Sequence, residues 1–198
     1  MAFNSKMAIR KSLIVRSLIM MFSGLLLVAC SKDDDFRTVS FIGDSIVARW
    51  DVKRSFPTMI TENKGLSGSG LEYIESNAGS SLKGKTAVIL FGTNDMQHFS
   101  EEYLVRYVSS ISELHAEKTI VISVLPRNMD GDATDVNLKI RTFNESVKVA
   151  CTTHGWDYVD AFAMMQENGT IKLECYSDGL HLSDAGYEIL TYEIRKRL

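Results

Sequence analysis

Thr38-Val39-Ser40-Phe41-Ile42 runs directly into Gly43-Asp44-Ser45. The first five residues make a short β-rich run, and the glycine ends it. The same pattern recurs downstream. Thr86-Ala87-Val88-Ile89-Leu90-Phe91 stops at Gly92, and Thr119-Ile120-Val121-Ile122-Ser123-Val124 stops just before Pro126. Nearly continuous apolar strands of this length bury both faces, which requires a parallel sheet covered by helices on either side. Trp156-Asp157-Tyr158-Val159 reads as a weaker fourth strand.

Helical patterns fill the intervals. Residues 100–115 carry Tyr103, Tyr107, Ile111 and Leu114 on one face, and residues 136–154 carry Val136, Ile140, Phe143, Val147 and Cys151. A shorter helix over 70–77 follows the Gly/Ser-rich turn at 65–70. The last helix opens at Ser183, an N-cap residue, and runs through Tyr187, Leu190 and Ile194 to Arg195-Lys196-Arg197, cations suited to a helix C-terminus. Strand and helix alternate, so residues 38–198 are expected to form one three-layer α/β domain with a mostly parallel sheet, without repeats or a second domain. A composition of 45% hydrophobic and 24% charged residues suits a single globular core.

The N-terminus reads differently. Lys6, Arg10, Lys11 and Arg16 precede an apolar run over 18–29, the pattern of a secretory signal and shorter than a membrane span needs. Leu27-Val28-Ala29-Cys30 resembles the lipobox of bacterial lipoproteins. That resemblance implies a signal peptide over 1–29, a lipidated Cys30 and a membrane partner reached through the lipid, in a bacterial cell envelope at the outer membrane. An ordinary signal with a chance cysteine, or an uncleaved anchor, are the alternatives. Ser31-Lys32-Asp33-Asp34-Asp35 then forms an acidic tether over 30–37. It is similar to the acidic signals that send some Gram-negative lipoproteins to the cell surface. Losing the four cations of 1–29 takes the formal charge from −3 to −7. That charge argues against nucleic acid as a partner, because phosphate binding needs a basic footprint.

Of the three cysteines, Cys151 and Cys175 would share a compartment that permits a disulfide. The helical stripe favours a buried thiol at Cys151 instead. No clustered His/Cys set suggests a metal, and nothing calls for a cofactor.

In a parallel sheet, ligands bind outside the carboxyl ends of the strands. Those positions hold Gly43-Asp44-Ser45 and Gly92-Thr93-Asn94-Asp95, with Ser67-Gly68 in the glycine-rich turn and Asp178-Gly179-Leu180-His181 before the last helix. A serine at a strand-to-helix turn is exposed to substrate but is a weak nucleophile until a base takes its proton. His181 is a candidate base, and Asp178, three residues earlier, can fix its tautomer across a tight turn. The backbone N–H groups of Ser45 and Gly68 and the side-chain amide of Asn94 are candidate oxyanion donors.

These four blocks, in this order, resemble the conserved blocks of the SGNH hydrolase superfamily from Phe41 to Tyr187. Ser45 matches the first-block serine, Gly68 the second-block glycine in an Asn63-x-Gly65-x-x-Gly68 context, Asn94 the third-block asparagine, and Asp178 with His181 the last pair. Leu125-Pro126-Arg127, with Asn144 in the next helix, is similar to the branch of platelet-activating-factor acetylhydrolases and microbial carbohydrate esterases. The resemblance implies a flavodoxin-like αβα sandwich and metal-free hydrolysis of acyl esters.

Other residues are read more plainly. Asp44 and Asp95 are expected to bond local backbone and shape their turns. Arg49 and Trp50 either line a pocket or, for Trp50, pack in the core. Arg127 is a possible substrate contact, while His98, His115 and His154 lack partner patterns. The expected activity is a serine esterase on short acyl, above all acetyl, esters of extracellular glycans, since no long apolar insertion separates the blocks to form a lid. A lysophospholipase or thioesterase, or a binding protein that has lost the reaction, are the competing readings. The oligomeric state is open.

Overall fold

The computed structural model describes residues 38–77 and 82–198. The signal peptide, Cys30 and the acidic tether lie outside the described residues.

Five parallel strands, β1 (Thr38–Gly43), β2 (Ile60–Gly65), β3 (Thr86–Leu90), β4 (Lys118–Ile122) and β5 (Asp157–Val159), form one sheet in the order β2-β1-β3-β4-β5. This is the flavodoxin-like order, whose direction of winding reverses between β1 and β3. Every residue of β1 is buried, as its apolar run requires.

Side chains alternate across the strands, so each strand feeds two cores. Phe41, Val88, Leu90 and Ile120 pack on one face with Ile46 and Val47 of α1 (Ser45–Ala48), Val52 of α2 (Val52–Ser55) and Leu190 and Ile194 of α7 (Asp184–Arg195). Ile42, Ile89, Phe91 and Val121 pack on the other, against α3 (Leu71–Asn77), α4 (Glu101–Ser112) and α5 (Val136–His154). The helix stripes of α4 and α5 face this second core as their spacing predicts, and α6 (Ala161–Met164) spans both, with Ala161 in the first and Phe162 in the second. The result is the expected three-layer αβα sandwich.

Several short elements were not foreseen, the helices α2 and α6 among them. Strand β2 reads Ile60-Thr61-Glu62-Asn63-Lys64-Gly65, too polar for a buried strand, because it is the sheet edge and is partly exposed. Its Glu62 accepts bonds from Ser40 Oγ and Lys85 Nζ, both at 2.7 Å, which tie the edge inward. A two-residue turn at Asn168 and Gly169, both at positive φ, closes a small antiparallel hairpin of β6 (Gln166–Glu167) and β7 (Thr170–Ile171). Cys151 and Cys175 are free and buried, and burial pushes the Cys151 thiol up to about 12.

Candidate active site

The turn carrying Ser45 is shaped by what cannot fit there. A Cβ on Gly43 would overlap the Leu90 carbonyl oxygen and the Val47 side chain, so only glycine lets β1 turn into α1 beside β3. Asp44 caps α1, its Oδ1 accepting the Ile46 N–H at 2.9 Å. Ser45 is the first residue of α1, and its own N–H has no acceptor within so short a helix. The other end of α1 is closed from two sides. Asn63 Nδ2 donates to the carbonyls of Val47 at 2.8 Å and Trp50 at 2.9 Å, and Tyr187 Oη donates to the Ile46 carbonyl at 2.7 Å. Trp50 is buried among Phe41, Phe56 and Tyr187, a core residue and not a pocket wall.

The 178–181 segment delivers the second half. Asp178 Oδ1 accepts the backbone N–H groups of His181 at 2.7 Å and Leu180 at 3.1 Å, a side-chain turn that aims its other oxygen at the imidazole. Oδ2 lies 2.7 Å from His181 Nδ1, and His181 Nε2 lies 3.0 Å from Ser45 Oγ. The His181 backbone N–H beside it holds the Asp178 carboxyl down at about 2. The anion favours a proton on Nδ1 and leaves the Nε2 lone pair facing the hydroxyl. Gly179, at φ +80°, returns its carbonyl to the Asn128 N–H at 2.8 Å. Arg49 Nη1 approaches Asp178 Oδ2 only to 3.9 Å with both side chains about half exposed, a pairing that contributes little.

The candidate oxyanion donors are fastened to the Ser45 turn through one residue the sequence reading passed over. Ser69 is buried, and its Oγ donates to the Gly43 carbonyl at 3.3 Å while its own carbonyl accepts from Asn94 Nδ2 at 2.8 Å. The Gly43 carbonyl also accepts the Leu66 N–H at 2.9 Å. Gly68 sits between these anchors at φ +77° with open space where a Cβ would stand. Asn94 is exposed in a 3₁₀ turn, Thr93–His98, that begins beyond β3 at Gly92, whose φ is +128°.

The acids beside these turns reach further than expected. Asp95 Oδ2 accepts the Leu71 N–H at 2.7 Å and the Tyr103 hydroxyl at 2.9 Å, joining the 3₁₀ turn to α3 and α4. Asp44 Oδ2 is buried without a hydrogen-bond partner, and burial pushes the Asp44 carboxyl up to about 7. Arg127 is nearly buried, its guanidinium held by Asp132 at 2.8 Å and by the Thr93 carbonyl at 3.2 Å. It braces the loop next to Asn94. Asn144 brackets the backbone of Val124, and Asn137 that of Arg127, with paired bonds of 2.8 and 2.9 Å.

His98 is exposed near the end of the 3₁₀ turn, and His154 stacks on Trp156. Among the described residues, no group of three His, Cys, Asp or Glu side chains could hold a metal ion, and no helix is long and apolar enough to cross a membrane.

Residues 41–189 match the model of the GDSL-like Lipase/Acylhydrolase family. No curated protein matches the chain. Among solved structures, a putative platelet activating factor from Streptococcus pneumonia superposes with a TM-score of 0.71 at 23% identity, covering 96% of this chain and 98% of that one. A GDSL-like lipase from Bacteroides thetaiotaomicron VPI-5482 gives 0.71 at 22% identity, covering 82% and 87%. An acetylxylan esterase from Geobacillus stearothermophilus gives 0.60 at 17% identity, covering 81% and 93%. At these identities the likeness is one of fold.

Proposed function

Since this chain belongs to the GDSL-like lipase/acylhydrolase family, we propose that it is a serine esterase that removes short acyl groups, above all acetyl, from glycan hydroxyls. One observation carries the reading: Asp178, His181 and Ser45 form a continuous hydrogen-bonded chain, 2.7 Å and then 3.0 Å, that ends on a hydroxyl at a strand-to-helix turn.

In this reading, Ser45 Oγ adds to the ester carbonyl carbon while His181 Nε2 takes its proton. The carbonyl electron pair moves onto oxygen, where the N–H groups of Ser45 and Gly68 and the Asn94 amide receive it. Collapse expels the alcohol, protonated by His181, and leaves acyl-Ser45. Water, deprotonated by the same imidazole, releases the acid and restores the serine. No step requires a metal or cofactor. The acetyl reading has an acetylxylan esterase among the structural neighbours beside it, as an analogy of fold only, since a GDSL-like lipase is among them too. The lipobox resemblance adds a location: a protein held at the bacterial outer membrane by lipid on Cys30, acting outside the cytoplasm.

A p-nitrophenyl ester series from acetate to palmitate, given to the purified full chain, tests this. The reading requires turnover that peaks at short chains. A peak at long chains would assign lipidic esters instead, and no turnover at any length would leave a binding protein.

A further inference from the structure

A cavity of about 690 Å³ opens beside Gly68, between α3 and the segment that runs from the 3₁₀ turn into α4. That volume is in the range of sites that hold a drug-sized molecule. Gly68 is the candidate oxyanion donor in its wall; within the esterase reading an acetyl group would fill only a small part of the space, so an occupant that passes Gly68 into it is assigned to the other half of the ester.

The lining says which kind of alcohol fits. Glu72, Asp95 and Glu102 set three acidic side chains around the cavity, and Gln97 and His98 add groups that donate and accept hydrogen bonds. Among the described residues that line it, the one guanidinium, that of Arg106, is engaged by Glu75 through two bonds of 2.8 Å, so it offers an incoming anion little. Phe99 supplies an apolar wall, held by stacking on Phe143 with ring centroids 4.2 Å apart. Acidic acceptors, an amide and an aromatic face suit hydroxyl groups on an uncharged ring, and the unbalanced acids repel a carboxylate or phosphate.

We propose that this cavity is the alcohol-side subsite and that it selects an uncharged, hydroxyl-rich alcohol, such as a neutral sugar unit, over an anionic one. The proposal rests on the esterase reading above and narrows it, because acidic glycans and phospholipid headgroups become poor substrates.

A matched pair of probes decides it: O-acetylated methyl glucoside and O-acetylated methyl glucuronide, which differ by one carboxylate, with p-nitrophenyl acetate as a separate assay of the esterase reading. At low salt, kcat/KM for the glucoside should exceed that for the glucuronide by roughly ten-fold, and the ratio should shrink as salt screens the exposed acids. In Glu72→Gln/Glu102→Gln, shown folded by circular dichroism, the ratio should fall toward one. It is read within each protein, so any loss common to both substrates cancels. Turnover of p-nitrophenyl acetate with equal rates on the two sugars, or with a ratio the double variant leaves unchanged, overturns the subsite. No turnover of p-nitrophenyl acetate overturns the esterase reading, and the subsite falls with it.

Discussion

His181 Nε2 stands 3.0 Å from Ser45 Oγ although 136 residues separate them in the chain. The contact exists because β1 lies inside the sheet between β2 and β3 and α7 packs on the same face as α1, which brings the loop before α7 over the carboxyl end of β1. Substituting Ser45→Ala should therefore leave the fold intact and reduce kcat by about 10⁴ to 10⁶, the loss expected when one member of a concerted set is removed. Single-turnover assays on protein shown folded by circular dichroism test this, and comparable turnover would remove Ser45 from the nucleophile role.

Asn94→Ala should lower kcat by about 10² to 10³ with little change in KM, as for one lost oxyanion donor. The fixed geometry sharpens the expectation. One N–H of the amide is spent on the Ser69 carbonyl at 2.8 Å, and that bond holds the second donor in place. Asn94→Asp keeps the size but donates to neither, so it should be no better than alanine. A raised KM at unchanged kcat would mean that Asn94 binds the ground state instead.

Much of this was legible in advance, for a physical reason. Buried parallel strands and helix stripes write their burial into residue type, and Ser45, Asn94, Asp178 and His181 occupy the strand ends and the turn before α7 that such a sheet leaves open. The edge strand β2 escaped because a half-exposed strand carries no apolar signature. Ser69 escaped for a different reason. Its contribution is a backbone carbonyl and a short hydroxyl that bond to Asn94 and Gly43, and no spacing rule marks such a residue. Asp44 and Asp95 were expected in their turns, but Asp95's bonds to Leu71 and Tyr103 join elements that only the folded chain brings together.

Asp44 sets a pH dependence of stability. Burial raises its pKa from 3.8 to about 7 in the folded protein, so the folded state holds this proton more tightly than the unfolded chain does. Stability from this group is therefore full below about pH 4 and declines as pH rises toward 7, by up to about 4 kcal/mol. Asn at this position keeps the cap to Ile46 and carries no charge. Thermal melts from pH 4 to 8 should show a downward slope in the parent that Asp44→Asn flattens. Parallel curves would mean that Asp44 is ionised in the fold throughout.

The lipobox resemblance predicts that Cys30 carries lipid in the cell. Cys30→Ser should move the protein from the membrane to the soluble fraction while its esterase rate stays unchanged, because catalysis is assigned to residues 45–181. Mass spectrometry of the membrane fraction checks it, and an unmodified Cys30 there would leave the hydrolase without an anchor.

The tightest test of the geometry is a single methyl group at Gly179. Its φ of +80° is strained for any side chain, and a Cβ would overlap the Asn128 carbonyl oxygen. The residue lies between Asp178 and His181, so relief of that overlap has to rotate the turn that aims both side chains. A shift of about 1 Å in such a site costs on the order of 10² in rate. The turn is at the surface and leaves both cores untouched, so the effect on stability should be modest by comparison. Gly179→Ala is expected to lose about 10² or more in kcat while the melting temperature falls by only about 2–10 °C, the cost of a strained φ. Equal kcat would show that the 178–181 turn tolerates displacement, and that the 2.7 Å and 3.0 Å contacts of His181 do not set the rate.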